Sequence, residues 1–263
     1  MPPKEAGSIL ERLTPVPLED LVLHESVEPA RLRSVTQAVA RSGVLKNPIL
    51  ATPLRAGKWL VIDGAHRVSA LRSIGADLAL AQVFDHGEFE ITAWHHLVST
   101  HQLPGQIEDL LVDRCPACEA GQPTGVCVAV AEQAGRAGHV WCRSTDVGEV
   151  VAVLRKLAAG CAAAGHIRRI APDDRAPGHA TARRLRIAYQ PWSFERLREM
   201  AARDIVLPAG VTRFVAPGRV LGANIPLSML TRDCRTSAEA PNIRRHVEKL
   251  SLRYYAEPVF IGE

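Results

Sequence analysis

The stretch VIDGAHRVSALRSIG, Val61 to Gly75, decides the fold. Val61 and Ile62 suit a buried strand, Gly64 loosens a tight turn, and Val68, Ala70, Leu71 and Ile74 recur at helical spacing until Gly75 stops the run. The reading is strand, turn, helix, with the polar residues gathered at the junction. His66 and Arg67 therefore open the helix. A helix start presents N–H groups that lack intrahelical acceptors, together with a partial positive charge. With Arg67 it makes a small anion site suited to phosphate. Asp63, on the rim, is placed to hold a cation or to position a hydroxyl group. Taken alone this element is common, and an arginine in it is more often solvated or salt-bridged.

Outward from it, Pro48-Ile49-Leu50-Ala51 and Lys58 to Gly64 read as a pair of strands around Arg55-Ala56-Gly57. Further upstream, Thr14 to Leu23 reads as an extended strand ending at His24-Glu25. Pro29 then starts a helix with Leu32, Val35, Val39 and Ala40 on its apolar side and Gly43 as the stop. Glu25 falls in the loop between that strand and helix, where rigid neighbours fix a side chain. Another short strand is expected at Leu78 to Phe84. Mixed strands and helices of this length imply an α/β or α+β lobe over residues 1 to 100, with residues 101 to 263 forming a second lobe.

In this setting the segment resembles the ParB/sulfiredoxin-like fold, in which a strand, turn and helix bearing D-G-x-H-R cradle nucleotide phosphates. Several blocks carry a closer resemblance. In order they are Leu23-His24-Glu25, Glu28-Pro29-Ala30-Arg31-Leu32, Asn47-Pro48-Ile49-Leu50, Asp63-Gly64-Ala65-His66-Arg67 and Pro208-Ala209-Gly210-Val211-Thr212-Arg213-Phe214. This set looks like the free L-serine kinase family, particularly its ATP-using branch encoded with staphyloferrin B siderophore genes. The implied fold is a ParB/sulfiredoxin-like N-terminal lobe with a mixed α+β C-terminal lobe that completes the substrate cleft. The implied reaction is phosphorylation of free L-serine by ATP, or ADP, with Mg²⁺, giving O-phospho-L-serine for amino-acid or diaminopropionate-type biosynthesis.

The resemblance also assigns roles. Asn47, Asp63, Gly64, His66 and Arg67 would hold the nucleotide, Glu25 and Asp63 would act in catalysis, and Trp94, Thr212 and Arg213 would hold serine. An arginine suits bidentate carboxylate recognition, and a threonine hydroxyl adds orientation. The three groups, around positions 25, 63 and 212, are expected to meet in one cleft.

Composition agrees with such a protein. Of 263 residues, 47% are hydrophobic and 23% charged, enough to bury a core. The net charge of +4 is a mild excess that fits small anionic substrates as readily as nucleic acid. The basic cluster Arg168-Arg169 and Arg183-Arg184-Leu185-Arg186 is where DNA contacts would be sought if the chain were a ParB-like transcriptional regulator, but no base-reading helix accompanies it. No apolar run approaches the ~20 residues that span a bilayer and the N-terminus has no signal-peptide core, so a cytoplasmic protein without membrane contact is expected.

The six cysteines are then expected to be reduced. Cys115 and Cys118, two residues apart, suit a tetrahedral metal that Cys127 and Cys142 would complete. The second pair is irregularly spaced, however, and reduced structural thiols are the commoner outcome. Sulfiredoxin chemistry needs a cysteine beside the phosphate cradle, and none lies between residues 1 and 114. Beyond these, Asp146 to Ala164 and Ser193 to Met200 read as helices, Leu185 to Tyr189 as a strand, and Ile243 to Leu252 and Pro258 to Ile261 as a last helix and strand.

Overall fold

A computed structural model describes residues 9–100, 105–108, 111–112, 125–174, 181, 183–231 and 240–250. It shows a mixed α+β protein of two compact units. The first unit takes Met1–Leu23, Val27–Phe89 and Ala216–Glu263, and the second takes His24–Ser26 and Glu90–Val215. The units therefore do not follow a single boundary near residue 100. The C-terminal segment returns to the first, and the Glu25 loop is counted with the second.

In the first unit β1 (Leu13–Pro17), β2 (Leu21–Leu23), α1 (Pro29–Ser42), β3 (Val44–Leu45), β4 (Ile49–Pro53), β5 (Trp59–Asp63), α2 (Ala65–Ser73) and β6 (Leu78–Val83) follow one another. Five of the strands form one sheet in the order β1-β6-β4-β5-β2. The strand expected over Thr14 to Leu23 is broken by a 3₁₀ turn at Leu18–Asp20, where the Leu18 N–H donates to the Asp77 carbonyl instead of to a ladder partner. The β4–β5 hairpin forms as expected, antiparallel about Arg55–Gly57. Helix α1 starts with Pro29 at its first turn and ends at Gly43, whose left-handed backbone sends its N–H to the Val39 carbonyl.

The core of this unit joins Ile49, Val61, Val68, Leu71 and Leu80 to Val220, Ile225, Leu230, Ile243 and Val247 from the returning segment. Gln82, 1% exposed, fastens that segment: its Nε2 donates to the Gly218 carbonyl and its Oε1 accepts from the Val220 N–H. The segment from Arg219 to Leu221 is held by this side chain rather than by a ladder, while Ile225–Pro226 pairs with β3. The last helix is Ala240–Glu248, starting three residues and ending four residues before the stretch expected, and the strand expected at Pro258 to Ile261 lies outside the described residues.

In the second unit β7 (Glu90–Ala93) pairs antiparallel with the strand Thr212–Val215. A separate six-stranded sheet contains β8 (His95–Ser99), β9 (Leu111–Val112), β10 (Val126–Gln133), β11 (Arg136–Cys142), β12 (Ile167–Ile170) and β13 (Arg184–Tyr189), in the order β12-β8-β13-β10-β11-β9. The helix Val147–Ala164 packs on it through Val150, Val151, Leu154 and Leu157. Asp146 caps that helix, accepting from the Gly148 and Glu149 N–H groups, and Ser193 caps Phe194–Ala202. No helix among the described residues is long and apolar enough to cross a membrane.

Candidate functional site

In the first unit β5 delivers Asp63 to the turn, and Gly64 makes the turn with φ 107°. A side chain at Gly64 would place its Cβ 2.9 Å from Arg67 Nη2 and 3.1 Å from Ile49 Cδ1, so the close approach itself requires glycine. No side chain caps α2, which leaves its first N–H groups to other acceptors. Arg67 reaches back one helical turn, its Nη2 donating to Asp63 Oδ2 at 3.1 Å. Arg219, from the returning segment, donates to the same oxygen. Burial opposes ionisation of Asp63, but the charges of Arg67 and Arg219 and their hydrogen bonds outweigh it and hold the carboxyl below its ordinary value. Arg67 Nε is buried with no hydrogen-bond partner among the described residues, a cost that an incoming anion would offset.

His66 is turned to another task. Its Nε2 accepts the N–H of Glu28 at 3.0 Å and so ties the start of α1 to the cradle. Asn47 is likewise engaged, its Oδ1 accepting from the Gly222 N–H at 2.8 Å.

In the second unit Glu25 Oε2 accepts the Gly210 N–H at 2.9 Å, and the chain on either side of Glu25 is bridged to Leu207. Trp94 and Arg213 lie on adjoining paired segments, with the guanidinium carbon 5.2 Å from the ring centroid. A guanidinium stacked in this way keeps its in-plane N–H fork for a carboxylate. The Thr212 hydroxyl is turned inward: it lies 2.7 Å from His24 Nε2, with both residues buried, and His24 packs edge-on against Phe214 at 5.0 Å.

The structure thus groups Asp63, Gly64, His66, Arg67 and Asn47 in the first unit, and Glu25, Trp94, Thr212 and Arg213 in the second. Sequence reasoning missed Arg219, His24 and Gly210 as members of these groups. Arg219 had no local signal, because its partner is 156 positions away. For Gly210 a signal existed: a glycine directly before the Val-Thr-Arg run marks a backbone position that a side chain would not fit. Cys115 and Cys118 lie outside the described residues. Cys127 stands opposite Trp141 and Cys142 opposite Val126, so the two thiols occupy adjacent rungs and project to opposite faces of the hairpin. Among the described residues no cluster of three or more His, Cys, Asp or Glu is placed to hold a metal.

No protein-family model matches the chain. Among curated proteins it is similar to the ATP-dependent L-serine kinase SbnI of Staphylococcus aureus, with 27% identity covering 97% of this chain and 98% of that one. Among solved structures, SbnI with a C-terminal truncation from Staphylococcus aureus superposes with a TM-score of 0.76 at 23% identity, covering 91% of this chain and 97% of that one. A free serine kinase in complex with AMP superposes with a TM-score of 0.66 at 18% identity, covering 83% and 93%. These structures share the fold.

Proposed function

We propose that this chain, which belongs with the free L-serine kinases by its likeness over nearly its whole length, transfers the γ-phosphoryl group of ATP to the hydroxyl of free L-serine. The products are ADP and O-phospho-L-serine. The reading is carried by an uncapped helix start beside Arg67 and Arg219 in the first unit and, in the second, by a loop carboxylate, Glu25, one of whose oxygens makes no hydrogen bond among the described residues.

The first unit would take the nucleotide. The first N–H groups of α2, with Arg67 and Arg219, supply positive potential and donors for phosphate oxygens. His66 and Asn47 act by holding α1 and the Gly222 turn in place, so their contribution to nucleotide binding is through the cradle's shape. Asp63 Oδ1 makes no hydrogen bond among the described residues, since both arginines use Oδ2. One open carboxylate oxygen fits Mg²⁺ carried on the nucleotide, an ion that commonly takes one or two protein carboxylates beside substrate phosphates. When bound, Mg²⁺ neutralises charge on the phosphates.

The second unit would take serine. Arg213, stacked on Trp94, presents its fork to the amino-acid carboxylate, and the His24–Thr212 hydrogen bond fixes the strand that carries it. The serine Oγ forms a bond to the γ-phosphorus as the bond from phosphorus to the β,γ-bridging oxygen breaks, and ADP departs with that electron pair. The hydroxyl proton passes to Glu25 as the new bond advances, because a carboxylate is too weak a base to remove it beforehand. Glu25 Oε2 is held by Gly210, which leaves Oε1 for that proton.

The product carries a good leaving group on its β-carbon, which suits replacement by a sulfur or nitrogen nucleophile. It would thereby supply cysteine-type or diaminopropionate-type biosynthesis, including siderophore assembly. A DNA-binding regulator is less well supported: Arg168 and Arg169 are built into β12, and Arg186 is bound to Glu132 and His95. The test is incubation of the purified protein with Mg²⁺, ATP or ADP, and serine, threonine or homoserine, with products read by mass spectrometry. O-phospho-L-serine formed from ATP supports the reading. Failure of every pair to give a phosphorylated amino acid would refute it.

A further inference from the structure

Gly210 is gripped from three directions. Its N–H donates to Glu25 Oε2 at 2.9 Å, and its carbonyl accepts His96 Nε2 at 2.9 Å. On its third side, a Cβ would fall 2.0 Å from Arg169 Nε, and its φ of 74° is one that side chains disfavour. His96 is itself buried, 3% exposed, with its Nδ1 3.2 Å from the Tyr189 hydroxyl and the two rings edge to face at 4.9 Å.

The proton positions follow from the partners. A carbonyl only accepts, so His96 Nε2 carries the hydrogen, and Nδ1 is left as the acceptor for the Tyr189 hydroxyl. Burial, with the nearby Cys161 adding to it, keeps that hydroxyl protonated well above its usual range. The polar chain therefore runs in one direction: Tyr189 O–H to His96, His96 N–H to the Gly210 carbonyl, Gly210 N–H to Glu25.

We infer that His96 is a positioning residue for Glu25, acting through Gly210 to fix the carboxylate at the angle the serine proton requires. This rests on Glu25 being the base of the proposed reaction. His96 holds the carbonyl side of residue 210, and the ladder bond from the Trp94 N–H to the Val211 carbonyl holds the next peptide. The Gly210 N–H belongs to the preceding peptide, joined to the one that His96 holds through the Gly210 Cα, so with the following backbone fixed its direction is set by the rotation about the Gly210 N–Cα bond, φ 74°. Without the His96 bond the carbonyl-bearing peptide loses its anchor, and the left-handed Gly210 backbone that aims the N–H at Glu25 is held less firmly. Misplacement of a reacting group by about 1 Å costs roughly 10²-fold in rate.

The test is a double-mutant cycle on the full chain, with kcat, the KM for ATP, the KM for serine and the melting temperature read for each protein. His96→Leu is expected to lower kcat about 10- to 100-fold and to leave the KM for ATP within about twofold. His96→Gln, whose amide N–H reaches the place of Nε2, is expected to recover most of the loss. In a Glu25→Gln background His96→Leu is expected to change kcat by less than about twofold, because the group it positions is already disabled. If His96→Leu does not fold, Tyr189→Phe removes the hydroxyl that orients the ring and is expected to give a smaller kcat loss that likewise vanishes in Glu25→Gln. Equal losses in both backgrounds, or wild-type kcat for His96→Leu, would overturn the inference alone. Wild-type kcat for Glu25→Gln would overturn the base assignment, and the inference with it.

Discussion

Arg219 donates a hydrogen bond to the same Asp63 oxygen that accepts from Arg67, although Arg219 and Asp63 stand 156 positions apart in the chain. The returning C-terminal segment therefore supplies one of the two guanidinium groups bonded to Asp63. Phosphate binding would draw on both arginines. Arg67→Ala is expected to weaken ATP binding by about 10- to 100-fold, since a hydrogen bond to a charged group is worth about 1.5–3 kcal/mol. Arg219, with 42% of its side chain exposed, is expected to contribute less, about fivefold, because water screens it. Calorimetric titration with ATP checks both values, and unchanged affinity in Arg67→Ala would count against a phosphate cradle here.

On the proposed reading, Arg213 on Trp94 would separate amino-acid binding from nucleotide binding. Arg213→Lys keeps the charge but loses the planar fork, and is expected to raise the KM for serine roughly tenfold with the KM for ATP unchanged. Trp94→Ala is expected to act in the same direction by removing the surface on which the guanidinium rests. Steady-state kinetics with each substrate varied in turn would show this, and a rise confined to ATP would contradict it.

Gly64 gives a stability test. Gly64→Ala forces a φ of 107° on a residue with a Cβ and presses that atom against Arg67 and Ile49. The expected loss is about 1–3 kcal/mol of unfolding free energy, the usual cost of such a backbone position. A denaturant titration measures it, and a variant as stable as the parent would show that the turn relaxes without cost.

His95 gives a pH test. Burial and then the charge of Arg186 lower its pKa from the ordinary 6.5, with Glu132 opposing them more weakly. The unfolded chain therefore takes up this proton before the folded one. Its contribution to stability is complete above about pH 6.5 and is lost as the pH falls from there through the folded value. Melting temperatures across pH 5 to 8 are expected to decline on the acid side. His95→Gln is expected to flatten that part of the profile, and an unaltered slope in the variant would show that another group titrates.

The element that could be read most directly from the chain was the most local one. Between Trp59 and Gly75 the short apolar run of the strand, the glycine turn and the helical stripe all act over a few residues, and they formed as expected. The hairpin of β10 and β11 was harder to see. Its turn is Ala134-Gly135, both with positive φ, where an asparagine or aspartate usually announces the same geometry. The return of residues 216 to 263 to the first unit had no local sign, because it depends on Gln82 and on apolar contacts distant in sequence. In the candidate site Glu25, Trp94 and Arg213 were named from the family resemblance and not from spacing. The inward turn of Thr212 depends on His24, a partner 188 positions away, and could not be read from spacing.

The central claim is that Glu25 takes the serine proton during phosphoryl transfer from ATP. Phosphorus NMR of ATP, Mg²⁺ and L-serine, followed in parallel with the wild type and with Glu25→Gln, tests it in one experiment. An O-phospho-L-serine signal is expected to grow with the wild type, and about 10²- to 10⁴-fold more slowly with the variant at unchanged ATP affinity. A signal growing at the same rate in both tubes, or absent from both, would contradict it.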